Sequence, residues 1–220
     1  MNCFRYKLDH DYGFAPNPFH GVLTLAACKA QIRANKHLNI GDWIIGLGSK
    51  KLGCLGHLIY AMKVTEKMTF DQYWEDVRFR CKRPNLAGSL VQIYGDNVYH
   101  TDPQSGNVIQ ENCAHSLAGG IPNADHLQSD VNGKNVLLSN HFYYLGNHHV
   151  EIPRQFDYIY LGVKRNYLFW DLNNRQEDIN AFVKWVEATL PIGVSGDPIN
   201  WELEHELGDM PIYEEKIFSY

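Results

Sequence analysis

The chain has 220 residues, 45% of them hydrophobic, enough to bury one substantial core and too many for an intrinsically disordered protein. Its formal charge of −5 and pI near 6.1 argue against wrapping long duplex DNA, which needs a basic face, and leave a small nucleotide or one flipped base compatible. Five cysteines (Cys3, Cys28, Cys54, Cys81 and Cys113) are scattered without a C-x-x-C pair, as expected of reduced cytosolic thiols.

The start, Met1 to Asp9, lacks an uninterrupted apolar run, and no later segment reaches the length of a membrane span. A cytoplasmic protein with no membrane partner is expected. Cys3–Leu8 alternates in polarity and reads as a first strand. Residues 11–19, Asp-Tyr-Gly-Phe-Ala-Pro-Asn-Pro-Phe, hold two prolines two places apart, a composition that no helix or central strand tolerates. This is a stiff loop carrying aromatic rings, suited to a ligand wall.

Leu25–His37 is Ala-rich at its start and reads as a helix with Leu25, Cys28 and Ile32 along one side. Ile40–Leu47 and His57–Thr65 read as paired strands around a loop with glycines at Gly53 and Gly56. Thr69 is a natural N-cap for a short helix through Asp76, with acids in its early turns. Residues 94–134 are dense in Gly, Asn, Asp, Ser and His, and read as a functional loop or lid. Asn135–Ser139 then reads as a strand leading into His141–Tyr144. Ile179, Phe182, Val183, Val186 and Leu190 follow helical spacing, predicting a C-terminal helix packed on the core. The domain reading is residues 1–165 with a loop-rich insertion at about 94–135, then a helical extension over 166–220.

The order D-Y-G-F-A-P-N-P-F at 11–19, T-L-A-A-C-K-x-x-I-R at 24–33 and G-D-W-I-I-G-L-G-S at 41–49 resembles the second type of nucleotide modification-associated domain, a family of bacterial and phage proteins. The resemblance continues through 60–66, 70–74, 94–100 and 139–146 and covers roughly residues 3–165. Ala30 departs from the pattern, which has proline after the lysine. The resemblance implies a link to modified bases or nucleotides, not a particular reaction. The order of elements is also similar to the PUA-like small barrels, among them the EVE and YTH modules that read modified bases. The expected fold is therefore α+β: a PUA/EVE-like small β-barrel with flanking helices, a long irregular central insertion and a C-terminal helix.

Two sets of residues carry candidate chemistry. Phe14, Asn17, Phe19, Lys29, Arg33 and Ser49, with Trp43 beside them, supply rings to stack on a base, an amide for its edge and cations for phosphate. Trp43 also has a plain core reading, between the apolar neighbours of its strand. The second set is Asp96, Asn97, Tyr99, His100, His115, Ser116, Asp130 and His141, imidazoles near carboxylates that suit acid-base work at neutral pH. His141, at a strand end, is expected in the binding pocket as well. A metal cluster from His100, Asp102, Cys113 and His115 lacks the spacings of zinc sites, so no metal and no other cofactor is expected. Gly46–Lys50 and Gly193–Asp197 fail the phosphate-loop and nucleophile-elbow patterns and read as turns. Cys28, on an apolar helix face, reads as a buried structural thiol.

The leading functional reading is binding of a modified base or nucleotide, free or flipped from nucleic acid, in DNA-modification or phage-defence systems. The first rival is a transferase or hydrolase of modified-nucleotide metabolism using Asp96, His100 and His141. The second is a defence-system scaffold whose C-terminal helix recruits a protein partner.

Overall fold

The computed structural model describes residues 1–162, 168–170 and 175–201. In chain order the strands are β1 Cys3–Lys7, β2 Leu23–Leu25, β3 Trp43–Leu47, β4 His57–Lys63, β5 Glu66–Met68, β6 Tyr99–Thr101, β7 Val108–Gln110, β8 Val136–Ser139, β9 His141–Tyr144, β10 Val150–Glu151, β11 Leu168–Trp170 and β12 Gly193–Val194. The α-helices are α1 Ala30–Arg33, α2 Phe70–Glu75, α3 Leu90–Ile93, α4 Ala124–Val131 and α5 Gln176–Thr189.

A seven-stranded mixed sheet in the order β11-β1-β3-β4-β9-β12, with β10 also on β4, forms the frame. Its centre, β3, is Trp-Ile-Ile-Gly-Leu, buried at every position. A strand covered on both faces is a continuous apolar run of this kind. Alternation then sorts the side chains. Trp43, Ile45 and Leu47 meet Ile179, Phe182, Val183 and Val186 of α5 on one face. Phe4, Tyr6, Ile44, Tyr60, Met62, Phe142 and Tyr144 face the other side, where β2 and its neighbours complete the core. The expected pairing of the third and fourth strands is present, antiparallel with Gly46 opposite Tyr60. Gly46 has no side chain because the Tyr60 ring lies where its Cβ would be. The Tyr60 hydroxyl lies 2.7 Å from that of Tyr6, fixing the Tyr6 ring on the inner face.

A smaller sheet, β2-β8-β5, and the β6-β7 hairpin lie apart from the first. The structure is mixed α and β with open sheets, and no barrel closes among the described residues. The pairing explains this: β1 continues to β11 and β9 to β12, while β2, β5 and β8 pair with one another.

Two expected elements differ. The helix expected over 25–37 is a single turn, α1, because Leu25 belongs to β2 and pairs with Leu137 of β8. Local alanine propensity, worth tenths of a kcal/mol per residue, is outweighed by a buried strand pairing. The stretch expected to be irregular, 94–134, contains the β6-β7 hairpin and α4, which is capped by Asn123 accepting from the Asp125 and His126 amides. The short helix after Thr69 is present with a full capping box to Gln72, as is the C-terminal helix, α5. No helix among the described residues is long and apolar enough to cross a membrane. Residues 166–167, 171–174 and 202–220 of the expected extension lie outside the described residues.

Candidate active site

Between β2 and α1 the chain turns on two consecutive left-handed residues that are not glycine, Cys28 at φ 54° and Lys29 at φ 42°. Each costs of order 1–2 kcal/mol and persists only where the surroundings enforce it. Here they do. The Cys28 amide donates to Asp130 Oδ1 at 2.6 Å, and Arg33 Nε donates to the Cys28 carbonyl at 2.7 Å. The buried Arg33 guanidinium also donates to the carbonyls of Asp130 and Asn135, at 2.7 and 3.0 Å. Arg33 is thus a clasp joining the Cys28 turn, the end of α4 and the start of β8.

The turn presents Cys28 Sγ to His115 Nε2 at 3.6 Å. The other imidazole nitrogen, Nδ1, lies 2.8 Å from Asp130 Oδ2. The Tyr99 hydroxyl donates to the same oxygen at 2.8 Å and receives Gln110 Nε2 at 3.1 Å. His115 and Asp130 are buried, whereas Cys28 is half-buried. Phe14 meets the His115 ring edge-on at 4.8 Å, and His126 lies against it at 4.2 Å.

The electrostatics follow from this packing. Burial pulls His115 down, but the Asp130 carboxylate outweighs it and the pKa stands well above the usual imidazole value. Burial would raise Asp130, yet His115 and Arg33 hold it below the ordinary carboxylate range. His126 is pushed down to about 4 by burial and by the charge on His115, so it packs as a neutral ring. The arrangement places an imidazolium 3.6 Å from a thiol, a proton donor and acceptor beside a nucleophilic atom.

Beside Cys28 opens a cavity of about 140 Å³ lined by Tyr6, Tyr12, Phe14 and Lys29, and also by Asp9 and His10. Lys29 Nζ sits 4.5 Å from the Tyr6 ring centroid. Cys28, His115 and Asp130 also bring ligand atoms within 4.8 Å of one another, close enough to hold a metal ion. Asp130 already accepts from the Cys28 amide, Tyr99 and His115, and no fourth His, Cys, Asp or Glu joins the cluster among the described residues, where a structural zinc site takes four ligands.

Of the expected binding residues, Phe14 and Lys29 line this cavity. Arg33 supports it from beneath. Asn17 is buried and pins its loop, donating to the Tyr94 carbonyl at 2.9 Å and accepting from Lys82 Nζ at 2.6 Å. Phe19 stacks on Trp201 at 5.4 Å, which in turn stacks on Tyr94 and through it on Tyr12 of the cavity wall. Ser49 accepts from the Leu52 amide in a turn. Trp43 is core. The three expected acid-base residues are not brought together. Asp96 accepts from Thr24 and Tyr73, and His100 pairs with Glu111 and stacks on Trp74. His141 lies with Trp43, Tyr143 and Glu187 on the α5 side of the main sheet.

The pairing that sequence reasoning missed is Cys28 with His115 and Asp130, residues 87 and 102 positions further along the chain. The usable signal was a cysteine beside a lysine where a strand gives way to a helix, together with one His and one Asp in the polar stretch.

Fold and site define an α+β protein with a cysteine, histidine and aspartate clustered beside a small pocket with aromatic walls. Across residues 1–205 the chain matches the model of nucleotide modification associated domain 2, and it belongs to that family. No curated protein matches it, and no solved structure does.

Proposed function

We propose that this chain is a thiol-dependent enzyme of nucleotide modification, with Cys28 as nucleophile, His115 as general acid and base, and Asp130 as the group that orients and charges His115. The observation that carries this reading is the compact set Cys28 Sγ, His115 and Asp130, with His115 Nε2 3.6 Å from the sulfur and its Nδ1 2.8 Å from the carboxylate. It is the constellation by which cysteine nucleophiles are activated on many unrelated folds. Membership in the nucleotide modification family supports a base or nucleotide as the molecule acted on.

Binding of a modified base is the first half of the same reading: Phe14, Tyr12 and Tyr6 offer ring faces and edges, and Lys29 a cation. A pocket that only recognised a base would have no use for an imidazolium held against a thiol at its wall. The test is the rate of Cys28 alkylation by iodoacetamide at neutral pH. The wild type should react at least ~10-fold faster than His115→Ala, the scale of rate change expected when a general base or ion-pair partner is removed. Equal rates in two folded proteins would sink the reading.

A further inference from the structure

We infer that the substrate is a pyrimidine nucleotide, and that the reaction opens with conjugate addition of Cys28 Sγ to C6 of the pyrimidine ring. This rests on the proposed function above and narrows it to a substrate class and a first step. Three observations carry it.

The first is size. A cavity of about 140 Å³ is close to the ~150 Å³ that holds one benzene ring in an engineered apolar cavity. It takes a single six-membered ring and leaves the sugar and phosphate at the rim. Tyr6, Tyr12 and Phe14 give it aromatic walls for a flat ring, beside the polar Asp9, His10 and Lys29.

The second is the Cys28 amide. In thiol and serine acyl transferases the nucleophile's own N–H commonly helps to hold the tetrahedral oxyanion. Here that N–H donates to Asp130 Oδ1 at 2.6 Å. The oxygen of an acyl intermediate at Cys28 would lack this donor. Addition to C6 does not need it, because the charge spreads through the ring to O4, several bonds from sulfur.

The third is the pair of proton and charge partners. The His115 ring stands 3.6 Å from Sγ, within reach of the carbon next to the one attacked. Lys29 Nζ at the cavity wall supplies a cation for the enolate. The step balances as follows. The thiolate pair forms the S–C6 bond, the C5=C6 π pair moves onto C5 and O4, and His115 gives its Nε2 proton to C5. Nothing is oxidised or reduced and no group leaves; the reverse steps restore thiolate and imidazolium.

The probe is 5-nitro-2′-deoxyuridine monophosphate, whose nitro group takes up the displaced electron pair and makes the C6 adduct persist. Wild-type protein should bleach the nitropyrimidine absorbance at a rate roughly 100-fold above Cys28→Ala, on the scale of nucleophilic and acid-base contributions. Native mass spectrometry should show one nucleotide added per chain. Thermal melting confirms that Cys28→Ala is folded. No adduct, while iodoacetamide still labels Cys28 faster in wild type than in His115→Ala, overturns the pyrimidine inference and leaves the thiol-enzyme reading standing. Loss of that His115-dependent labelling as well overturns both.

Discussion

His115 Nδ1 and Asp130 Oδ2 lie 2.8 Å apart with both side chains buried, so a charged imidazole is held inside the fold by one carboxylate. That carboxylate also anchors the Cys28 amide at 2.6 Å. One aspartate therefore sets both the shape of the Cys28 turn and the charge of the imidazole beside it.

Replacing Asp130 with Asn should cost about 3 kcal/mol, the scale for breaking a buried ion pair. The cost should depend on pH. His115 is raised above 6.5 in the folded chain, so its share is fully present below that value and vanishes as pH rises through the raised pKa. Asp130 is lowered below 3.8, so its share is present above that value and is lost as pH falls through the folded pKa. Urea denaturation of wild type and variant should differ most between about pH 4 and 6.5, and the difference should narrow as pH rises through the raised His115 pKa to the share that Asp130 keeps with Arg33 and Tyr99.

Gly133→Ala should destabilise the chain by about 1–3 kcal/mol, the usual cost of overpacking. An added Cβ would overlap the Arg33 guanidinium, which three backbone carbonyls hold in place. Because Arg33 clasps the Cys28 turn, alkylation of Cys28 should also slow. A melting temperature unchanged from wild type would show that the clasp is slack.

Lys29→Gly should be more stable than Lys29→Ala by about 1 kcal/mol, because position 29 sits at φ 42° and only glycine adopts that region freely. Both variants should weaken binding of a nucleotide monophosphate alike. Comparing the two separates backbone strain from loss of the cation.

Lys82 is buried beside Asn17 and Thr24, and burial lowers its pKa to about 8. Between that value and the 10.5 of an ordinary lysine the unfolded chain binds the extra proton, so stability gains from this residue as pH rises. Wild type should gain on Lys82→Met from pH 8 to 10, with a slope of up to ~1.4 kcal/mol per pH unit. A flat difference across that range would mean that Lys82 stays charged in the fold.

Much of the frame was legible because it is written locally. The Trp-Ile-Ile-Gly-Leu run, the Thr69 capping box and the spacing of Ile179, Phe182, Val183 and Val186 each carry their structure within a few residues. The stiffness of the loop around Pro16 and Pro18 was equally plain. The use of Asn17 was not, since its partners Lys82 and Tyr94 are 65 and 77 residues away. Asp96, His100 and His141 looked like one acid-base set on composition alone, and each has separate partners in space.

By itself the sequence determined the family, the α+β class and the aromatic loop that walls the pocket, because ordered motifs, periodicity and proline stereochemistry survive in one dimension. Tertiary structure alone decided the site. The pairing of β2 with β8 took Leu25 out of the expected helix, and Asp130 and Arg33 bent the chain at Cys28. Those bonds join α4 and β8 to a turn about a hundred residues earlier, at separations of 97 and 102. Contacts at such separations leave no local periodicity to read, so a cysteine that looks like core on its own stands, in the folded chain, at the wall of the pocket with His115 beside it.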